Sequence, residues 1–165
     1  MGKSVFEPDH YFKKIQDIPA QLFKDNGIKL ILCDVDNTIV GWHKEDVSQE
    51  TRQWLDDIQS NGIKIVLFSN NPIARVKKME KILKIPAYYK TKKPFKKSYL
   101  GAIKEMNGSV KTTAMVGDQL LTDIMGGNIT GVMTVLVDPL STKKEFFLTT
   151  IISRPIERHI KRKFR

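Results

Sequence analysis

The sequence predicts an α/β fold, a three-layer sandwich around a mainly parallel sheet. Three observations carry that prediction. Short apolar runs recur at 30–33, 63–68, 113–116 and 133–137, each the length of a strand buried on both faces. Segments with apolar residues at helical spacing lie between them. Most of the runs stop at a polar cluster, and open α/β sheets place their ligands at such strand ends.

Taken in order, Phe6, Tyr11, Phe12, Ile15, Ile18 and Leu22 are spread among polar residues ahead of the first strand. This segment is expected to pack on the sheet, partly as helix. Pro19 suits the start of a short helix over Ala20 to Asp25, and Asn26-Gly27 suits its stop. Leu30-Ile31-Leu32-Cys33 is the first strand, followed at once by Asp34 and Asp36. Ser48 begins a helix with Trp54, Leu55 and Ile58 on one face, ended by Asn61-Gly62. Ile63 to Phe68 is the second strand, and it stops at Ser69-Asn70-Asn71-Pro72. A helix over Ile73 to Leu83 carries Val76, Met79, Ile82 and Leu83 on its apolar side, with Arg75, Lys77, Lys78 and Lys81, and Lys84 just past its end, supplying the rest. Ile85 to Tyr88 reads as a weak strand. A very basic stretch, Lys90 to Lys97, precedes a helix over Ser98 to Met106. Thr113 to Val116 is a strand ending at Gly117-Asp118, with Asp123 beyond it. Met133 to Val137 is the last strand. Trp42 either lines the mouth of a pocket or packs in a core or flap, and packing is the simpler reading.

The 165 residues suit one domain spanning 1–165, with a basic tail at 154–165. In the tail, Ile156, Ile160 and Phe164 fall on one helical face among basic residues, after Phe146, Phe147, Ile151 and Ile152. The chain holds 28 Lys and Arg against 18 Asp and Glu, a formal charge of +10. That balance favours anionic partners: phosphorylated substrates, anionic membrane surfaces or nucleic acid. Aromatics interleaved with basic residues are sparse, so nucleic acid is not favoured. Cys33 is the one cysteine, which excludes a disulfide within the chain and fits a reducing compartment. No apolar run approaches the ~20 residues of a membrane-spanning helix, and the start lacks the pattern of a signal peptide. A cytoplasmic protein is expected, with peripheral contact to a membrane. His10, His43 and His159 show no metal-ligand spacing.

The polar clusters Asp34/Asp36, Ser69, Lys93 and Asp118/Asp123 fall at successive strand ends, so one parallel sheet would bring them to a common edge. Two carboxylates at one strand end repel each other, and hard oxygen ligands suit Mg²⁺. The chemistry that fits is phosphoryl transfer. A carboxylate nucleophile splits the slow hydrolysis of a phosphate monoester into two easier steps. It needs the phosphate's charge neutralised, and it needs an acid to protonate the leaving oxygen. Ser69 also suits the cap of the helix after Pro72.

Asp34-Val35-Asp36-Asn37-Thr38 resembles the DxDxT signature of the haloacid dehalogenase (HAD) superfamily. Ser69 resembles its second motif, Lys93-Pro94 its third, and Gly117-Asp118-Gln119-Leu120-Leu121-Thr122-Asp123 its fourth. Within it, the chain is most similar to the YqeG-type group of subfamily IIIA, whose relatives include mitochondrial and plastid phosphatidylglycerophosphate phosphatases. The resemblance implies a Rossmann-like fold and a Mg²⁺-dependent phosphatase. Asp34 would be the nucleophile and a metal ligand. Asp36 would be the general acid/base, its backbone carbonyl on the metal. Ser69 and the N–H of Asn70 would hold the phosphate, with Thr38 ordering the loop beside it. Lys93 would neutralise charge, and Asp118 and Asp123 would complete the metal site. Lys92 is the rival of Lys93, but the family pattern places proline after the lysine. The gaps from Asp34 to Ser69 and from Ser69 to Lys93 have no room for a cap domain. An open site of this kind favours a large or membrane-presented substrate, phosphatidylglycerophosphate among them; the alternatives are a phosphatase of nucleic-acid ends, phosphoproteins or soluble phosphosugars, or a non-catalytic scaffold that binds RNA or protein.

Overall fold

The computed structural model describes residues 2–42, 44–141, 155–156 and 158–164. Five strands form one sheet in the order β1-β5-β4-β2-β3, with β1 His10–Phe12, β2 Leu30–Cys33, β3 Lys64–Leu67, β4 Thr113–Gly117 and β5 Met133–Val137. Every pairing is parallel. The helices are α1 Ala20–Asp25, α2 Gln49–Ser60, α3 Ile73–Leu83, α4 Lys96–Glu105 and α5 Met125–Thr130. Strand residues alternate between two cores, as the two-residue period of a strand requires. Ile31, Cys33, Ile65, Leu67, Ala114 and Val116 face a core shared with Phe23, Trp54, Ile58, Val76 and Met79 from α1, α2 and α3. Leu30, Leu32, Val66 and Met115 face the opposite core, with Tyr99, Ala102 and Ile103 from α4. These are the layers of a three-layer sandwich. Cys33 is fully buried, and burial pushes its thiol far above the ordinary range, so it is inert.

Local signals set the helix ends. Ser48 accepts the Thr51 N–H at 3.2 Å and caps α2. Gly27 and Gly62 take the left-handed conformation just past α1 and α2. Two elements differ from the sequence expectation, and a third carried none. The N-terminal segment does more than pack on the sheet, because β1 extends it, pairing with Val135–Val137. Its half-buried three residues leave no apolar run to read. Asp9 fixes its start by accepting the Thr134 N–H at 2.8 Å while donating its own N–H to Thr134 O at 3.0 Å. The expected strand at Ile85 to Tyr88 is a single bridge between Leu67 and Ala87, since Pro86 has no N–H to extend a ladder. The segment after β4 forms a π-helical turn, Leu120–Ile124, that runs into α5.

The basic tail is helical at 155–156 and 158–163. Ile160 is buried against Leu120, Ile124 and Leu136, with Ile156 and Tyr11 packed beside it. Lys161 pairs with Asp138 at 3.0 Å, and Lys163 pairs with Glu7. The apolar side of the tail is thus largely spent on the body of the domain. Phe146, Phe147, Ile151, Ile152, Arg154 and Arg165 lie outside the described residues, as does His43.

α4 and α5 meet at Gly126, where an added Cβ would stand 2.6 Å from the Tyr99 hydroxyl oxygen. Tyr99 is fully buried and donates to the Thr122 carbonyl at 2.6 Å. Gly126→Ala is therefore expected to lower stability by about 1–3 kcal/mol through overpacking. A urea unfolding curve measures this, and an unmoved midpoint would show that the ring can shift freely.

Candidate active site

β2 lies between β3 and β4, so the chain leaves β2 to one side and later returns on the other. A crevice opens at the carboxyl ends where such a reversal occurs. Asp34 stands there, its N–H still in the ladder, donating to Val116 O at 3.0 Å. The chain then turns sharply through Asn37, at φ 62°. Asparagine tolerates this left-handed conformation better than most residues. The Asn37 N–H donates to Val40 O at 2.7 Å, and its side-chain oxygen accepts from Ser141 Oγ at 2.8 Å and Trp42 N at 3.3 Å. Asn37 therefore holds the loop after β2 against the end of β5.

Lys93 is the lysine that enters this crevice. It is buried, and its Nζ lies 2.8 Å from Asp34 Oδ1 and 2.6 Å from Asp123 Oδ1. Burial alone lowers the pKa of the amine, but Asp123 and Asp34 outweigh it and raise it well above the ordinary lysine range. Lys92 is exposed, and its backbone N–H donates to Ser98 Oγ at 2.7 Å. Asn70 grips the Lys93 backbone from both sides, accepting its N–H at 2.8 Å and donating to its carbonyl at 3.0 Å. The second and third motifs are thereby tied together.

One carboxylate oxygen from each of Asp34, Asp118 and Asp123 lies within 4.8 Å of the others. The π-helical turn brings Asp123 inward. Gly117 permits it, because a Cβ at that position would lie 2.2 Å from Asp123 Oδ2. That oxygen accepts the Gln119 N–H at 3.1 Å. Burial pushes the Asp118 carboxyl well above the usual range, and the charges on Asp34 and Asp123 add to the push. Burial likewise raises Asp123 to about 6, against the opposing pull of Lys93. Thr38 Oγ1 donates to Asp118 at 3.0 Å. One lysine does not balance these three acids. A divalent cation with hard oxygen ligands fits the donor set they form.

Asp36 stands outside that trio. Its carboxylate accepts from Arg75 at 2.9 Å and from the Asn71 side chain. Arg75 also donates to the Lys44 carbonyl. The sequence placed Arg75 on the basic face of α3, and the structure turns it inward from the first turn of that helix. No sequence signal separated it from the neighbouring lysines, since its partner is 39 residues away. Ser69 does not cap α3, which begins after Pro72 without a side-chain cap. Its Oγ accepts the Asn71 N–H at 3.2 Å instead. The resulting cavity is small, about 50 Å³, and is lined by Asp34, Asp36, Ser69, Asn70 and Lys93. Trp42, Gln119 and Thr122 also line it, so Trp42 serves the pocket mouth and not the core. Gln119 and Thr122 lie inside the fourth motif but carried no signal of their own.

Comparison with known proteins fits this site. The family described as mitochondrial PGP phosphatase matches residues 1–141. The chain is 36% identical over 160 residues to the probable phosphatase YqeG of Bacillus subtilis strain 168, covering 97% of this chain and 92% of that one. It is 28% identical over 156 residues to the chloroplastic/mitochondrial phosphatidylglycerophosphate phosphatase 1 of Arabidopsis thaliana, covering 86% of this chain and 43% of that one. Its fold matches the 3-deoxy-D-manno-octulosonate 8-phosphate phosphatase of Moraxella catarrhalis, solved with a magnesium ion, a phosphate ion and a KDO molecule. The TM-score is 0.51 at 14% identity, over 90% of this chain and 100% of that one. A parallel sheet with its acids and lysine gathered at one edge, and a match spanning the described domain, lead to one conclusion: the chain belongs to the PGP phosphatase family of HAD-type phosphatases.

Proposed function

We propose that the protein hydrolyses a phosphate monoester through an aspartyl-phosphate on Asp34, with Mg²⁺ as cofactor. The observation that carries this reading is the placement of Lys93 Nζ between Asp34 and Asp123, 2.8 and 2.6 Å away, beside a carboxylate trio. Asp34, Asp118 and Asp123 would hold the ion, with the Asp36 backbone carbonyl. When bound, Mg²⁺ supplies charge neutralisation for the phosphate oxygens.

The chain's own groups account for the rest. Ser69 Oγ and the Asn70 N–H hold the phosphoryl oxygens. Lys93 offsets their charge and orients Asp34. An Asp34 oxygen attacks phosphorus, and the bond to the ester oxygen breaks as Asp36 delivers a proton to it. A water then loses its proton to Asp36 and attacks phosphorus. The bond to Asp34 breaks, and inorganic phosphate leaves. Asn71 and Arg75 fix the orientation of Asp36 for both transfers.

The substrate is large or presented by a membrane, and phosphatidylglycerophosphate is the leading candidate. A cavity of about 50 Å³ is far below the roughly 300–1,000 Å³ of small-molecule sites. It admits a phosphoryl group and leaves the body of the substrate outside. Among the described residues, only a loop, α2 and β3 separate Asp34 from Ser69, and only α3 and one bridge lead on toward Lys93. Neither of these stretches holds a cap domain among the described residues. Among the described residues no helix is long and apolar enough to cross a membrane.

Hydrolysis of an aryl phosphate is expected to require Mg²⁺ and to fall at least about a thousandfold in Asp34→Asn. Undiminished turnover in that variant would overturn the assignment of Asp34. Lys93→Ala is expected to lose comparable activity while Lys92→Ala keeps it; equal losses would mean that the buried lysine is not special. Arg75→Ala should lower kcat about ten- to a hundredfold with little change in KM. A rise in KM alone would make Arg75 a substrate-binding residue. A panel of lipid phosphates, nucleic-acid ends, phosphopeptides and phosphosugars tests the substrate, and preference for a soluble sugar phosphate would contradict the membrane-presented reading.

A further inference from the structure

We propose that the segment from Tyr88 to Ser98, beside the active-site mouth, is a docking surface for an anionic lipid bilayer. The proposal rests on the reading of a membrane-presented substrate and names the surface that meets the membrane. It also moves that contact away from the basic tail, whose Ile156 and Ile160 are packed on the domain.

Three observations carry it. First, a groove of about 670 Å³ is lined by Tyr88, Tyr89, Phe95 and Ser98 and rimmed by Lys90, Lys92 and Lys97. Second, Phe95 is 68% exposed, the most exposed of the large apolar residues among the described residues. The turn that presents it is well held. The Phe95 N–H donates to Lys92 O at 3.0 Å, its carbonyl accepts the Ser98 N–H at 3.0 Å, and Thr91 Oγ1 donates to Tyr88 O at 2.9 Å. A ring held out on a fixed turn leaves about two thirds of its surface in water, an apolar exposure that favours burial against a partner. Ile73 is 53% exposed and opens α3, which starts at the same carboxyl edge of the sheet. Third, Lys90, Lys92, Lys93, Lys96 and Lys97 are the only charged residues between Tyr88 and Ile103. All but Lys93 are exposed.

An exposed aromatic ring within a lysine rim matches an anionic headgroup layer. The ring enters the interface and each lysine meets a lipid charge. Tyr89 suits the same boundary, its hydroxyl on Glu80 and Lys77 Nζ 5.7 Å from its ring centre. The catalytic lysine is a neighbour in the same loop. Docking there would bring a headgroup phosphate to Asp34 while the lipid stays in its bilayer.

The test compares the full chain with Phe95→Ser and with Lys90→Glu/Lys97→Glu, none of them in the catalytic machinery. Cosedimentation uses phosphatidylcholine vesicles with and without phosphatidylglycerol. Aryl phosphate hydrolysis and circular dichroism report whether the site and fold survive. The proposal expects binding that needs phosphatidylglycerol and weakens at least about tenfold in both variants, with aryl phosphate turnover unchanged. Parent-like vesicle binding in either variant overturns it. Loss of single-stranded RNA binding with intact vesicle binding also overturns it and assigns the groove to RNA. Vesicle binding through this face without hydrolysis of any lipid phosphate leaves the docking surface standing and removes the substrate reading instead.

Discussion

The buried contact of Lys93 with Asp34 and Asp123 is the interaction on which the rest of the site depends. Three carboxylates gathered within 4.8 Å would repel strongly away from water. Lys93 offsets part of that charge, and the remainder suits the cluster to a cation. Removing the lysine would leave buried acids unpaired, which costs more than the pair itself contributes. The backbone that carries Lys93 is correspondingly well fixed, by Asn70 on both of its peptide groups. The second motif thus positions the third, and the third orients the first and fourth.

Close packing makes this convergence possible. Gly117 leaves room for Asp123 to fold against the strand end, and the Tyr99 hydroxyl braces the turn that carries it by donating to Thr122 O at 2.6 Å. The Tyr99 ring in turn requires Gly126. A chain of contacts therefore runs from the α4–α5 interface to the Asp123 carboxylate. The site needs this rigidity, since reacting groups displaced by about 1 Å lose most of their effect.

Much of this was legible in the sequence, for a definite reason. The acids and Ser69 come at or near the ends of buried parallel strands, and a parallel sheet brings such ends to one edge whatever the details of packing; Lys93 follows only a single bridge, and Asn70 brings it to the same edge. The helix over Ala20–Asp25 was readable from Pro19 at its start and Asn26-Gly27 at its end, and that over Ile73–Leu83 from Pro72 at its start and its apolar face. What escaped depends on distant contacts. Strand β1 is half-buried and borrows its register from Thr134. Arg75 looks like any basic residue of its helix until Asp36 is brought beside it. The tail shows an apolar face but not what covers it, and that proved to be Leu120, Ile124 and Leu136.

In the proposed reading the small cavity and the wide basic groove divide the work of the surface: the cavity would take one phosphoryl group, and selection would fall to what surrounds it. The central claim is that Asp34 carries the phosphoryl group between two half-reactions. Rapid acid quenching of Asp36→Asn with substrate, followed by peptide mass spectrometry, tests it most directly. Slowed attack by water should let a phosphorylated peptide containing Asp34 accumulate. Turnover with Asp34 never modified, or with the phosphoryl group found on Ser69, would contradict the account.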